Sequence, residues 1–263
     1  CEGYTLMRND LEFCHAPNAG AMACRVCVYG RDRQRHLTRV LSIFTHCRFA
    51  VVAPSEFTLK LWLARSHLPY KSTLVHPHWT LKAETNARHR SPGPLRVAFL
   101  GLPVPGKGWP MFQTLSAQLQ FDDRYIFYHF AARNKKSTMA AIFICTEVTA
   151  KSRNAAVSLL TEHAIDIVVV ASPWPETFSY VAHEAIAAGC MIICLHDSGN
   201  VAALAASTGR GLSFADPDDV AEFFSSGAAV DWIGGVAQTT YQVVNCGTTA
   251  TLALSETVSE AAE

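Results

Sequence analysis

Predominantly apolar segments that alternate with helical segments constrain the fold of this chain more than any other feature. Three of these segments are Leu95–Gly101 (LRVAFLG), Ile165–Val170 (IDIVVV) and Cys190–Leu195 (CMIICL). Near-continuous apolar runs are typical of strands that are covered on both faces. Helical patterns separate them, at about residues 109–119, 151–163 and 178–188. The alternation predicts an α/β fold with a doubly wound, parallel, Rossmann-like sheet.

The pattern also predicts how the chain is divided. Residues 94–228 hold the strand–helix alternation and are expected to form the main Rossmann-like domain. Residues 1–85 are interpreted as the end of a second domain of the same type, with a cysteine-rich segment, and residues 229–263 as a helical tail. Leu81–Pro94 shows no apolar periodicity and ends in Pro and Gly, which predicts a linker.

Charge and composition exclude some classes of function. The 22 basic and 22 acidic residues of the 263-residue chain cancel, which argues against nucleic acid or an anionic membrane as the main partner. No apolar run approaches the roughly 18 residues of a transmembrane helix. The nine scattered cysteines do not form a secretory disulfide pattern, so a cytoplasmic location is expected. The chain begins at Cys1, and we expect it to be part of a longer protein.

Two glutamates in one small-residue segment are the candidate binding residues. Glu176 and Glu184 lie eight positions apart in PWPETFSYVAHEAIAAG, Pro173–Gly189, between two of the apolar runs. On a straight helix this spacing gives roughly 80° of rotation and about 12 Å of rise. Both carboxylates therefore cannot reach one atom, but they could hold two parts of an extended ligand at the carboxyl edge of the sheet.

The same segment resembles the E-x7-E motif of the retaining GT-B glycosyltransferases of family 4. PETFSYVAHEAIAAG has both glutamates, the following Ala185 and the closing Gly189 in place. Two more stretches are similar to loops of that family's donor domain, VAFLGLPVPGKGW (Val97–Trp109) and HDSGNVAAL (His196–Leu204). The resemblance covers about Phe49–Asp219 and departs from the family at Leu102, where an Arg is frequent.

The resemblance implies roles for individual residues. Glu176 and Lys107 would be the catalytic residues, with Lys107 facing the diphosphate and Glu176 holding hydroxyls of the donor sugar. Glu184 would hold the ribose hydroxyls, a chemically sound use of a carboxylate. Because Leu102 stands where the family often has an Arg, one phosphate contact would be missing or supplied from elsewhere, such as by Arg133 or Lys135. The implied donor-binding set is Gly101, Lys107, Gly108, Glu176, Thr177, Phe178, Glu184, Ser198 and Gly199.

The implied activity is transfer of a sugar from a nucleoside-diphosphate sugar, with retention, to an unknown glycan, lipid-linked or protein acceptor. The family's mechanism requires no cofactor or metal for this step. The expected cytoplasmic location includes the alternative of a protein that associates peripherally with a membrane. Two alternatives remain open. One is a nucleotide-sugar epimerase of the same architecture, and the other is a module that binds a nucleotide sugar without catalysis.

A cysteine cluster near the start of the chain has the spacing of metal ligands. Cys14, Cys24 and Cys27 include one C-x2-C pair, and a closed zinc site needs four ligands. A structural zinc ion, free thiols and a disulfide are the three interpretations of this cluster.

Overall fold

The computed structural model describes residues 7–9, 12–18, 21–30, 32–88, 90, 92–132, 138–147, 149, 152, 154–236, 238–249 and 252. Twelve strands in this part of the chain are β1 Met7–Arg8, β2 Glu12–Phe13, β3 Ala50–Ala53, β4 Ser72–Val75, β5 Trp79–Arg88, β6 Leu95–Leu100, β7 Tyr125–Ala131, β8 Ile142–Cys145, β9 Ile167–Val169, β10 Met191–Leu195, β11 Gly211–Phe214 and β12 Gln238–Asn245. The α-helices are α1 Met22–Arg25, α2 Arg33–His46, α3 Glu56–Arg65, α4 Trp109–Gln118, α5 Ala155–Glu162, α6 Tyr180–Ala187, α7 Asn200–Thr208, α8 Pro217–Ser225 and α9 Ala228–Gly234.

A six-stranded parallel sheet in the order β11-β10-β9-β6-β7-β8 confirms the predicted fold class. Counted from β6, this is the order 3-2-1-4-5-6 of a doubly wound Rossmann sheet. The chain runs outward from β6 through β7 to β8, then returns to the other side of β6 and continues outward from β9 to β11. The order therefore reverses between β6 and β9, and a crevice for a ligand is expected at their carboxyl ends.

Alternate residues of the central strands enter two separate cores, one on each face of the sheet. In β6, Val97 and Phe99 belong to one apolar cluster, and Ala98 and Leu100 belong to the other. β10 divides in the same way. Since successive side chains of a strand point to opposite faces, both faces are buried, which explains why these strands lack polar alternation.

The chain separates into two compact units, Cys1–Thr80 with Val244–Glu263, and Leu81–Val243. In the first unit, β3 and β4 are parallel and α3 lies between them in sequence, which forms one β-α-β element. Ser55 caps α3 as its position predicts, because its hydroxyl accepts a hydrogen bond from the Thr58 amide at 3.1 Å.

Two sequence-based expectations are wrong. Most of the predicted linker Leu81–Pro94 is the strand β5, and the predicted helical tail 229–263 contains the strand β12. These two strands pair with each other, and the Thr240 hydroxyl donates a hydrogen bond to Glu84 at 2.7 Å. The partners lie about 150 residues apart, so neither local pattern contains the information that pairs them.

Within the described ranges, no helix is both long enough and apolar enough to span a bilayer.

Candidate functional site

Three loops meet at the carboxyl ends of β6, β9 and β10, which are adjacent in the sheet. We call them the first loop (101–108), the second loop (170–179) and the third loop (196–199). The first and second loops leave the two strands between which the strand order reverses. Glu176 of the E-x7-E segment and the predicted residues of the two similar loops therefore lie at one edge of the sheet.

Close backbone contact joins the first loop to the second. Gly108 has φ +82°, and a Cβ added to it would lie 2.3 Å from the carbonyl oxygen of Ala171. Only glycine fits a position with both a positive φ and a backbone group at this distance. Gly108 also precedes α4 and follows a short 3-10 helix, Pro105–Lys107, which places Lys107 at the crevice.

Glu176 and Lys107 form an ion pair across these two loops. Lys107 Nζ donates a hydrogen bond to Glu176 Oε1 at 2.6 Å, and Ser172 Oγ donates to the same oxygen at 2.8 Å. The Lys107 side chain is 45% exposed and that of Glu176 is 14% exposed. A cation suits a phosphate, and a carboxylate suits sugar hydroxyls. One group of each kind thus lies side by side with the other at an open surface.

The main chain of Glu176 is held by the third loop. Its amide donates to the Ser198 carbonyl at 3.2 Å, and its carbonyl accepts from the Asn200 amide at 2.9 Å. A Cβ on Gly199, between those two residues, would lie 2.6 Å from the Cα of Pro175. The backbone of Glu176 is therefore fixed independently of its side chain, which orients the carboxylate before a ligand arrives.

Ser198 connects the second and third loops through its side chain. It is fully buried. Its hydroxyl donates to the carbonyl of Ser172 at 2.9 Å and accepts from the amide of Leu195 at 3.2 Å.

Replacing Ser198 by alanine is expected to destabilise the chain by about 1–3 kcal/mol, because two buried backbone groups lose a partner. Thermal unfolding of the variant measures this loss. Ser207→Ala is the matched control, since the Ser207 hydroxyl bonds the Leu204 carbonyl on an exposed helix surface, and it should change stability by less than about 0.5 kcal/mol. Equal effects of the two substitutions would contradict the structural role of Ser198.

Glu184 differs from Glu176 in its surroundings. It lies on α6, is only 9% exposed, and burial raises the pKa of its carboxyl group to about 7. No described residue donates a hydrogen bond to this carboxyl group, and no described cation pairs with it. A buried carboxylate without partners is costly, and hydroxyl groups of a ligand would satisfy it.

The remaining predicted residues occupy supporting positions. Phe178 is buried and its ring stacks on that of His183 with centroids 4.1 Å apart, and its carbonyl accepts from Asn200 Nδ2 at 2.8 Å. Thr177 is exposed. Gly101 has φ +122° with nothing within 4 Å of an added Cβ. Arg133 and Lys135, named above as alternative sources of a phosphate contact, lie outside the described residues.

His129 is a site residue that the sequence did not reveal. It is fully buried in β7, and its Nε2 donates a hydrogen bond to the Gly101 carbonyl at 3.0 Å. Burial lowers the pKa of His129 below its usual value, against the opposing effect of the Gly101 bond. A neutral imidazole therefore tethers the start of the first loop. In YIFYHFA this histidine looks like one polar interruption of an apolar strand.

The three cysteines of the predicted cluster do not come together as metal ligands in the described part of the chain. Cys14, Cys24 and Cys27 are all free thiols, so no disulfide joins them. Over the described stretches, no three His, Cys, Asp or Glu side chains converge as metal ligands. Cys24 Sγ instead accepts a hydrogen bond from Arg33 Nη1 at 2.9 Å.

Fold and site together define a doubly wound α/β protein with polar and charged loop residues at its topological switch point. No family model matches the chain, and no curated protein matches its sequence. Solved structures with a similar fold include a trehalose-6-phosphate synthase, at 13% identity and TM-score 0.49, covering 84% of this chain and 59% of that one.

Two further structures have comparable similarity. Anabaena HepE, solved in complex with UDP-glucose, is 15% identical with TM-score 0.49, covering 76% of this chain and 59% of that one. A UDP-forming trehalose-phosphate synthase from Burkholderia vietnamiensis is 10% identical with TM-score 0.49, covering 82% and 60%. The chain thus spans about 60% of the length of these proteins.

Proposed function

We propose that this chain binds a nucleoside-diphosphate sugar in the crevice between the three loops, as the donor site of a retaining glycosyltransferase. The observation that carries the proposal is the Lys107–Glu176 pair, which joins the first and second loops at the switch point of the sheet. The third loop holds the main chain of Glu176. A parallel sheet of this order presents its ligand site at the switch point, and the pair supplies one group for phosphate and one for hydroxyls.

Five of the predicted residues then have a role at the donor site. Lys107 is proposed to contact the diphosphate, Glu176 the hydroxyls of the donor sugar, and Glu184 the ribose hydroxyls. Ser198 and Gly199 shape the loop that approaches the phosphates at the start of α7, where free backbone amides favour an anion.

The proposed reaction breaks the bond between the anomeric carbon and the diphosphate oxygen. An acceptor hydroxyl attacks from the face that the diphosphate leaves, and its proton passes to the departing phosphate oxygen. Lys107 stabilises the negative charge that develops on the diphosphate, which is electrostatic stabilisation of the transition state. Glu176 orients the sugar, and no side chain acts as an obligatory nucleophile.

Calorimetric titration of the chain with UDP, GDP and ADP tests the donor site. One nucleotide is expected to bind, and Glu184→Ala should weaken its binding by about 1–3 kcal/mol, the cost of a lost hydrogen bond to a charged group. Glu162→Ala, an exposed carboxylate on α5, is the control and should bind as the wild type does. Loss of Glu184 without any change in affinity would contradict its ribose role.

Glu176→Ala should separate the sugar from the nucleotide. The variant is expected to lose affinity for the intact sugar nucleotide, because the hydroxyls of the sugar lose their partner. It should keep its affinity for the free diphosphate, because Lys107 is released from its ion pair with Glu176 and stays available to phosphate. Equal losses for both ligands would contradict the sugar role. Conversion of the sugar nucleotide to its epimer without an acceptor would favour the epimerase alternative.

A further inference from the structure

Trp174 lies in the middle of the second loop and packs against the main chain of the first loop. A Cβ added to Gly106 would lie 2.1 Å from Cζ3 and 2.4 Å from Cη2 of the indole. The six-membered ring of Trp174 therefore lies directly on the Gly106 backbone, and glycine at position 106 makes this approach possible.

The face of the same indole is turned to Lys107. Lys107 Nζ lies 5.4 Å from the ring centroid while it donates to Glu176 at 2.6 Å. An ammonium group within about 6 Å of a Trp ring face is attracted by the ring quadrupole. Lys107 thus has two partners on one loop, a carboxylate and an aromatic face.

Glu176 and Trp174, the two partners of Lys107, respond differently to a bound ligand. In the proposed function, Glu176 turns its carboxylate to sugar hydroxyls and Lys107 turns its ammonium to the diphosphate, so their ion pair must open. The indole face holds the charge without using any of the three N–H donors of the ammonium. It can therefore keep Lys107 at the crevice while those donors pass from Glu176 to phosphate oxygens.

The local sequence makes Trp174 a rigid support. It stands between Pro173 and Pro175. Each proline fixes its own φ, and Pro175 also restricts Trp174 to extended conformations. Rigid placement of a group that orients a binding side chain reduces the ordering cost of binding.

We propose that Trp174 is a positioning residue that holds the Lys107 ammonium at the crevice through its ring face, both in the free protein and when a diphosphate replaces Glu176 as its hydrogen-bond partner. This inference rests on the proposed function of the same site and adds a residue to which that function assigned no role.

A double-mutant cycle on nucleotide affinity tests the proposal. The full chain is titrated with whichever of UDP, GDP or ADP binds, as wild type, Trp174→Leu, Lys107→Met and the double variant. Trp174→Leu is expected to weaken binding three- to tenfold in the wild-type background and less than 1.5-fold in the Lys107→Met background. Trp174→Phe, which keeps an aromatic face, should remain within about twofold of the wild type.

Nuclear magnetic resonance of the chain with labelled lysine provides a second readout. The ε-methylene signal of Lys107, assigned by its loss in Lys107→Met, is expected to show an upfield ring-current shift that persists with nucleotide bound and disappears in Trp174→Leu. Thermal unfolding of each variant confirms that the fold is retained, and Trp174→Phe keeps the test valid if Trp174→Leu does not fold.

The outcomes distinguish this inference from the proposed function. One outcome overturns the positioning role while the donor site stands. In it, a nucleotide binds and Lys107→Met weakens that binding, but Trp174→Leu has either no effect or an effect that adds to that of Lys107→Met. If none of the three nucleotides binds, the proposed function fails and this inference fails with it. Absence of the upfield shift in the free protein overturns the role of Trp174 irrespective of nucleotide binding.

Discussion

Replacement of Gly108 by alanine is expected to destabilise the chain by about 2–5 kcal/mol and to abolish the nucleotide binding that we propose for this site. Two costs add at this position. A non-glycine residue at φ +82° is strained, which costs about 1–2 kcal/mol. The new methyl group would also lie 2.3 Å from the Ala171 carbonyl oxygen, and relief of such overpacking costs about 1–3 kcal/mol. Since both groups belong to backbone, the first and second loops must move apart.

Urea unfolding measures the loss of stability, and calorimetry with the bound nucleotide measures the loss of affinity. Gly209→Ala is the matched control, because Gly209 has φ +64° but nothing lies within 4 Å of an added Cβ. It should show only the backbone strain, about 1–2 kcal/mol. Similar destabilisation by the two variants would show that contact with Ala171 does not hold the loops together.

Replacement of Glu184 by glutamine is expected to make the stability of the chain less sensitive to pH, with the largest gain over wild type above pH 7. The pKa of the Glu184 carboxyl group rises from 4.5 to about 7 in the folded state, because burial disfavours the charged form. The folded protein therefore retains this proton at pH values where the unfolded chain has lost it. The stability that protonated Glu184 contributes is fully present below its pKa in the unfolded chain, and it is lost as the pH rises through its pKa in the folded protein.

The size of the effect follows from the shift in pKa. A rise from 4.5 to about 7 corresponds to about 3 kcal/mol, at 1.36 kcal/mol per pKa unit. Urea unfolding of Glu184→Gln and wild type at about pH 4.5 and pH 8.5 should show the variant gaining about 3 kcal/mol relative to wild type across this interval. Glu162→Gln, at an exposed site on α5, should gain nothing. A pH-independent difference between Glu184→Gln and wild type would contradict the raised pKa.

The raised pKa gives a physical reason to expect a ligand at Glu184. A carboxyl group that is only 9% exposed lowers stability at neutral pH unless something satisfies it. Natural proteins tolerate such a cost mainly at functional sites. In the proposed function, ribose hydroxyls donate hydrogen bonds to Glu184. These bonds stabilise its charged form, so nucleotide binding is expected to lower the pKa of Glu184.

Several features of this protein were predictable because their causes are local. The apolar runs at β6, β9 and β10 predict strands buried on both faces, since a run without polar alternation leaves no face for water. The small-residue pattern of Pro173–Gly189 predicts a strand exit, a loop and α6. The cap of α3 at Ser55 also follows from its position.

Other features depend on groups that are far apart in sequence. β5 and β12 are strands because they pair with each other, and a segment that looks like a linker by itself becomes a strand when a partner supplies its hydrogen bonds. His129 looked like an interruption of an apolar strand, and its role appears only when its Nε2 is seen to contact Gly101. The cysteine spacing suggested metal ligands, whereas Cys24 faces the guanidinium of Arg33.

The sequence by itself determined the α/β class, the order of strands and helices around the site and the identity of Glu176, Glu184 and Lys107 as the residues to examine. Only the tertiary structure decided that Lys107 and Glu176 are partners across two loops, that Glu184 is buried with no partner among the described residues, and that Trp174 lies on Gly106 and faces Lys107. The reason is physical. Strand and helix patterns arise from burial along one segment, whereas the charge state and partners of a side chain arise from which distant segments surround it.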